Sequence, residues 1–314
     1  MQNIIKSTPD GENSVSSWVL LLILVGYVIS SLFLFSFIGY AAVLPFFGFD
    51  IAQMTDALQH PFANEQAKVP MMILQGIISI GGFIVAPWFF VRYHLKMGHQ
   101  SFIELPKPVI HPIIMTAILV FCFMIVNSIL IEWNQNFVFP ESLSYLEELA
   151  RDLEDRAEEM TKYLTTFDSI PYFLLALVVV AVVPAVGEEL LFRGLIQNLF
   201  HSILKNPHAA IWISSLLFSL FHFQFYGLIP RMMLGVLFGY IYYFSGHLTL
   251  AMVGHFINNA FSLTLFYLSQ NGLIDMEVEE LESSPPYYII LLFLVIGTLL
   301  LVLFRKYFKS KEIE

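Results

Sequence analysis

The sequence predicts an all-α protein, a polytopic bundle of about eight membrane-spanning helices, and three observations predict it. Apolar residues make up 57% of the 314 residues and charged ones 13%, with a mean hydropathy of +0.73, far outside the soluble globular range. Uncharged apolar runs long enough to cross a hydrocarbon core of ~30 Å recur along the whole chain. The pieces between them are short or strongly polar, so one membrane domain is the simplest count.

The elements follow in order. Residues 1–16 are polar and read as a cytoplasmic tail. The first span, 17–45, is far longer than the apolar stretch of a signal peptide and reads as an uncleaved helix. Spans at 70–91 and 109–131 come next. Residues 140–164 place Leu143, Leu146, Leu149, Leu153, Ala157, Met160 and Leu164 at three- and four-residue spacings among many carboxylates. That is the pattern of an amphipathic helix outside the bilayer. It reads as a solvated connector packing its leucines on the bundle, with a lid over an external opening as the other reading. These elements make up an N-terminal region, 17–164.

The region 165–270 holds spans at 170–190, 208–225, 229–246 and 248–268. The last region, 271–314, comprises an acidic loop (274–286), a span at 286–304 and a basic tail. Arg92, Lys96, Lys107, Lys205, Arg305, Lys306, Lys309 and Lys311 fall on one set of loops and ends, and placing them in the cytoplasm gives an N-in, C-in topology. The net charge of −10 then largely reflects external loops and gives no basis for a nucleic-acid partner. The single cysteine, Cys122, lies within an apolar run and reads as a buried thiol, which excludes an intrachain disulfide. An integral protein of a bacterial inner membrane fits this pattern best.

Against this background the stretch VVPAVGEELLFRG, Val182 to Gly194, stands out for its three full charges. An Arg, Lys or Asp near a bilayer centre costs ~2.5–3.5 kcal/mol on insertion scales, so intramembrane ionisable residues mark functional sites. Glu189 and Arg193 are one helical turn apart and can neutralise each other. Glu188 points ~100° away from Glu189 and needs another partner or a water-filled cavity. Pro184, one turn ahead of Glu188, removes a backbone hydrogen bond and is expected to kink the helix.

Two further spans carry polar groups: His222, four positions after Phe218 in an aromatic run, in one, and His255 and Asn259, one turn apart, in the other. Singly, each has a bland reading as a packing histidine or interhelical glue. Together they bring a carboxylate, two imidazoles, a carboxamide and an ion pair toward one buried point. Desolvation fits a buried carboxylate such as Glu188 to take a proton from water. His222 would help orient and deprotonate that water, and His255 and Asn259 would supply donors to an oxyanion on an attacked carbonyl. This chemistry is amide hydrolysis.

GEELLFRG, FSLFH and HFINN resemble the EExxxR, FxxxH and HxxxN motifs of the CAAX protease and bacteriocin-processing (Abi) family of intramembrane proteases, in the family's order. The resemblance covers about 165–270 and implies an eight-helix bundle with a conical cavity. It implies Glu188 as catalytic glutamate, Glu189 and Arg193 as its partners, His222 as the residue sharing the water, and His255 and Asn259 as the oxyanion site. The substrate it implies is a membrane-associated or lipidated protein or peptide. Cofactors are expected to be none, because the metal-free glutamate mechanism uses every motif residue; the alternative is zinc on Glu188, His222 and His255. The rival functions are a proton-coupled transporter, which also needs buried Glu, His and Arg, and a non-catalytic scaffold of the same fold. Outside the motifs, His201, His208 and His247 read as helix-end residues. Arg231 is left with two roles, snorkelling to headgroups or binding a substrate carboxylate.

Overall fold

A computed structural model describes residues 15–95, 110–275 and 284–311, and among these the regular structure is entirely helical. The N-terminal tail, Lys96, Lys107 and most of the 274–286 loop lie outside the described residues. Ten helices are numbered here in chain order: α1 (Ser17–Val43), α2 (Ile51–Gln59), α3 (Glu65–Leu95), α4 (Ile110–Gln135), α5 (Ser144–Leu164), α6 (Ile170–Leu204), α7 (Pro207–Leu220), α8 (Leu228–Ser245), α9 (Leu248–Gln270) and α10 (Tyr287–Lys311). Seven of them, α1, α3, α4, α6, α8, α9 and α10, are long and apolar enough to cross a membrane, as expected of an integral membrane protein.

The eighth expected span, 208–225, is shorter than the sequence suggested. Helix α7 has 14 residues, about 21 Å at 1.5 Å per residue, less than a hydrocarbon core. The chain still completes the passage. Helix α5 joins the end of α4 to the start of α6, at the bundle end opposite Lys205, and Gln224 and Tyr226 in the segment after α7 touch Glu154 on α5. Helix α7 and the irregular segment 221–227 therefore run from one end of the bundle to the other.

The span expected at 170–190 is the larger difference, since it extends to Leu204 as one 35-residue helix. Charges marked the apparent end in the sequence, but Glu189 and Arg193 are buried in protein rather than lipid, so the helix continues past them. Its start is capped by Ser169, whose hydroxyl accepts from Tyr172 N–H, with Pro171 in the first turn. Helix α6 is also not uniformly α: wider π turns at Leu177–Val182 and Leu190–Ile196 flank the α turns of Val183–Glu189. Such bulges insert a residue into the ladder and recur at functional sites.

Helix α6 is central. Leu190 to Phe200 pack against Leu20, Leu24 and Val28 of α1 and Phe83, Ala86 and Phe90 of α3, while Ala176 and Val179 pack with Met72 of α3 and Leu263 of α9. A second core joins Leu119 and Val120 of α4, Phe238 and Ile241 of α8, Ala251 of α9 and Phe304 of α10, and Cys122 is buried, as expected.

Helix α5 is amphipathic but does not lie as the connector reading assumed. Leu143, Leu146, Leu149 and Leu153 remain 42–47% exposed, and of that stripe only Leu164 is buried. The polar face turns inward instead: Glu154 accepts from Gln224 Nε2 at 3.1 Å and Tyr226 N–H at 3.2 Å, and the Arg151 guanidinium lies 4.7 Å from the Tyr226 ring. One side-chain amide and one backbone N–H of the 221–227 segment, from Gln224 and Tyr226, set which face docks here, because donors held by a bundle need an acceptor.

Candidate active site

The α turns between the two bulges present Glu188 and Glu189 on different faces, as adjacent helical residues must be. Glu189 is sealed, with 0% of its side chain exposed, whereas Glu188 keeps 13%. The Oε1 of Glu189 accepts from Arg193 Nη1 at 2.6 Å and from His255 Nδ1 at 2.9 Å. The other ring nitrogen of His255, Nε2, faces Glu188 Oε2 across 3.9 Å, a charge contact longer than a hydrogen bond. Arg193, Glu189, His255 and Glu188 thus form one continuous chain of charge.

Arg193 is fully buried, and aromatic faces replace its water: its guanidinium carbon lies 4.6 Å from the Phe218 ring and 5.6 Å from Phe238. Phe238 also stacks on His255 at 5.2 Å, and Phe218 meets His255 edge-on at 6.0 Å. Space for this comes from α8, where a Cβ on Gly235 would stand 2.9 Å from Arg193 Nη2 and one on Gly239 would stand 2.9 Å from Gln197 Oε1. The GVLFG stretch is therefore a close-approach surface of the small-xxx-small kind.

His222 reaches the cluster through Phe218. Its ring lies 5.3 Å from that phenyl, and its Nδ1 is 3.0 Å from the Phe218 carbonyl. A carbonyl only accepts, so Nδ1 carries the hydrogen and Nε2 of the neutral ring is left as an acceptor. The following residue, Phe223, has φ 56°, in the left-handed region that disfavours a bulky side chain, so the turn holding His222 is strained.

Asn259 reaches the cluster through the backbone. Its Nδ2 donates to the Val180 carbonyl at 3.0 Å, and its Oδ1 accepts from Asn258 Nδ2 at 3.1 Å. Pro184, four residues after Val180, has no N–H to offer that carbonyl. Val180 lies in the π turn that ends just before Pro184, where Val183 N–H bonds to the Val178 carbonyl, so Asn259 serves a carbonyl of this interrupted ladder.

The structure brings Glu188, Glu189, Arg193 and His255 into direct contact and ties His222 and Asn259 to the same cluster at one remove. Among the described residues no group of three His, Cys, Asp or Glu side chains is gathered that could hold one ion. Phe218 and Phe238 were not recognised in the sequence as part of the site. The signal for Phe218 was present, since it is the first residue of the FxxxH spacing; nothing marked Phe238 among 31 phenylalanines.

Residues 170–261 match the family model of the type II CAAX prenyl endopeptidases, Rce1-like, the group of intramembrane proteases that the three sequence motifs resemble. The matched segment contains all six residues of the cluster and covers α6 to most of α9. No curated protein and no solved structure matches the chain.

Proposed function

We propose that this protein is a glutamate-dependent intramembrane endopeptidase acting on a membrane-associated or lipidated protein or peptide, in a bacterial inner membrane. The observation that carries the reading is the inequality of the two adjacent glutamates. Glu189 is consumed by Arg193 and His255, while Glu188 keeps exposed surface and faces the free nitrogen of the same imidazole.

In this mechanism Glu188 takes a proton from water, helped by the acceptor Nε2 of His222, and the water oxygen attacks the scissile carbonyl carbon. Glu189, accepting from Nδ1, holds the His255 ring with Nε2 toward Glu188, as a carboxylate behind a histidine orients it in hydrolytic triads. Nε2 of that ring, as a donor, and the second amide hydrogen of Asn259 serve the oxyanion. The proton taken by Glu188 passes to the leaving amine as the C–N bond breaks. Arg193 balances Glu189 and holds it in place. No step requires a metal, so chelators are expected to leave the activity unchanged.

The test compares membrane-fraction peptide termini by mass spectrometry in cells with the native protein or Glu188→Gln at equal expression. Termini that vanish with the variant identify the substrates. Identical profiles for Glu188→Gln and His222→Ala would sink the protease reading and favour the transporter or scaffold.

A further inference from the structure

Asn134 lies in the last turn of α4, outside the segment that matches the family model. It is 2% exposed, and its carboxamide commits both ends to the stretch that follows α7. Nδ2 donates to the Phe225 carbonyl at 3.2 Å, and Oδ1 accepts from Ile229 N–H at 2.9 Å. Ile229 N–H is one of the donors that the start of α8 leaves without a partner in its own helix. An asparagine acting as interhelical glue needs one such contact, whereas this one bridges two points of an irregular chain. The Phe225 ring meets Phe139 at 4.7 Å and Phe137 at 5.5 Å, so the residues just beyond α4 cover the same point.

That chain carries His222, and it is closed on itself. The buried Ser219 hydroxyl donates to the Leu228 carbonyl at 2.6 Å, so residues 219–228 form a loop with joined ends. Within it Gln224 and Tyr226 are held by Glu154 of α5. Arg231 turns back from α8 to donate from Nη2 to Gln224 Oε1 at 2.8 Å, and its Nη1 is buried, so this side chain does not snorkel. The loop needs such support. Phe223, next to His222, has φ 56° and is 75% exposed, so its own side chain does little to hold that backbone. A conformation of this kind persists only where its surroundings over-determine it. Glu154 grips the loop from a helix at the bundle end, and Asn134 from inside the bundle, where no water replaces a lost bond.

We propose that Asn134 is a positioning residue for His222: by bridging the Phe225 carbonyl and the Ile229 N–H it fixes the return of the loop to α8, and with it the direction of the His222 imidazole. The assignment rests on the endopeptidase reading, in which Nε2 of that ring helps take a proton from water. The bond from His222 Nδ1 to the Phe218 carbonyl sets the tautomer, and the ring goes where the backbone of its turn carries it. Asn127, two turns earlier on α4, supplies the comparison. Its Nδ2 donates to the Pro230 carbonyl at 3.3 Å, which ties α4 to α8 beyond the closure of the loop.

The experiment uses the full-length protein in detergent and a synthetic prenylated peptide. Asn134→Leu keeps the size of the side chain and removes both bonds. It is expected to lower kcat ~10–10²-fold with KM little changed, as displacement of a reacting group by about an ångström implies. Combined with His222→Ala it is expected to add no further loss, because the ring it positions is gone. Asn127→Leu is expected to lower the melting temperature and keep kcat. Losses that multiply in the Asn134→Leu, His222→Ala pair, or an equal loss of kcat in Asn127→Leu, reduce Asn134 to interhelical packing and overturn the proposal. Asn134→Asp keeps an acceptor for Ile229 and is expected to retain an intermediate kcat; it carries the same comparisons if the leucine variant does not fold. Hydrogen exchange of residues 219–227 needs no turnover and is measured by mass spectrometry on the same proteins. It is expected to quicken ~10-fold in Asn134→Leu, as loss of a buried hydrogen bond implies, and an unchanged rate overturns the proposal. Quickened exchange, with peptide cleavage absent or unaffected by Glu188→Gln, keeps the loop clamp and sinks the endopeptidase reading. Cleavage that depends on Glu188, with kcat unchanged in Asn134→Leu, does the reverse.

Discussion

Asn259 on α9 donates to the carbonyl of Val180 on α6 at 3.0 Å, in the π turn that ends just before Pro184. The carboxamide thus has a structural duty besides the proposed catalytic one. Asn259→Ala is expected to leave a carbonyl inside the bundle unsatisfied and to cost about 1–3 kcal/mol, read as a lower unfolding midpoint in detergent. Pro184→Ala restores an N–H one turn ahead, so the double variant is expected to recover part of the stability but not the activity. Additive losses in that cycle would show that the two residues are not coupled through Val180.

The neighbouring carboxylates are expected to separate by phenotype. Arg193→Met strands the buried Glu189 charge, at a cost of about 3–5 kcal/mol, and Glu189→Gln beside it returns much of that loss. Glu188→Gln is expected to abolish turnover with little change in the melting temperature, because part of its side chain is exposed. A large destabilisation by Glu188→Gln alone would place its role in the scaffold.

His222→Ala is expected to lower kcat by ~10²–10⁴, the range for a lost acid–base group, with KM little changed. Steady-state kinetics on a cleaved peptide measure this. An unchanged kcat would remove His222 from the water-activating pair.

Much of this arrangement was legible in the sequence, and the misses have physical causes. The spans were visible because lipid admits only helices that satisfy their own backbones, which requires long apolar runs. Glu188, Glu189, Arg193, His222, His255 and Asn259 were visible because charge and amide groups are costly in such runs. The end of α6 was misplaced at 190 because hydropathy cannot tell a charge facing lipid from one enclosed by Phe218, Phe238 and His255. The burial of the α5 leucines was misjudged for the converse reason: a stripe shows which residues share a face, and the donors at Gln224 and Tyr226 that decide which face docks come from a distant segment.

That docking carries a pH dependence. Burial pushes the Glu154 carboxyl up, against the pull of its hydrogen bond from Tyr226 and the charge of Arg231. A carboxyl with a raised folded value adds stability that is full below the ordinary carboxyl range and lost as pH climbs through the raised one. Hydrogen exchange of the α5 amides is therefore expected to quicken with pH beyond the intrinsic chemical rate, and in Glu154→Gln that excess should disappear. An identical excess in the variant would sever α5 docking from Glu154.

The two π turns of α6 have a consequence for how this helix can change. Each holds one residue more than an α turn, and the bulge absorbs that residue so that the turns on either side keep their facing. Losing one residue between Val178 and Ala181 returns that turn to α geometry with Glu188 and the Glu189–Arg193 pair still directed into the bundle. Losing one between Val183 and Gly187, where the turns are already α, rotates the helix on one side against the other by ~100°. The tolerance of α6 to a lost codon is thus set by where its wide turns lie.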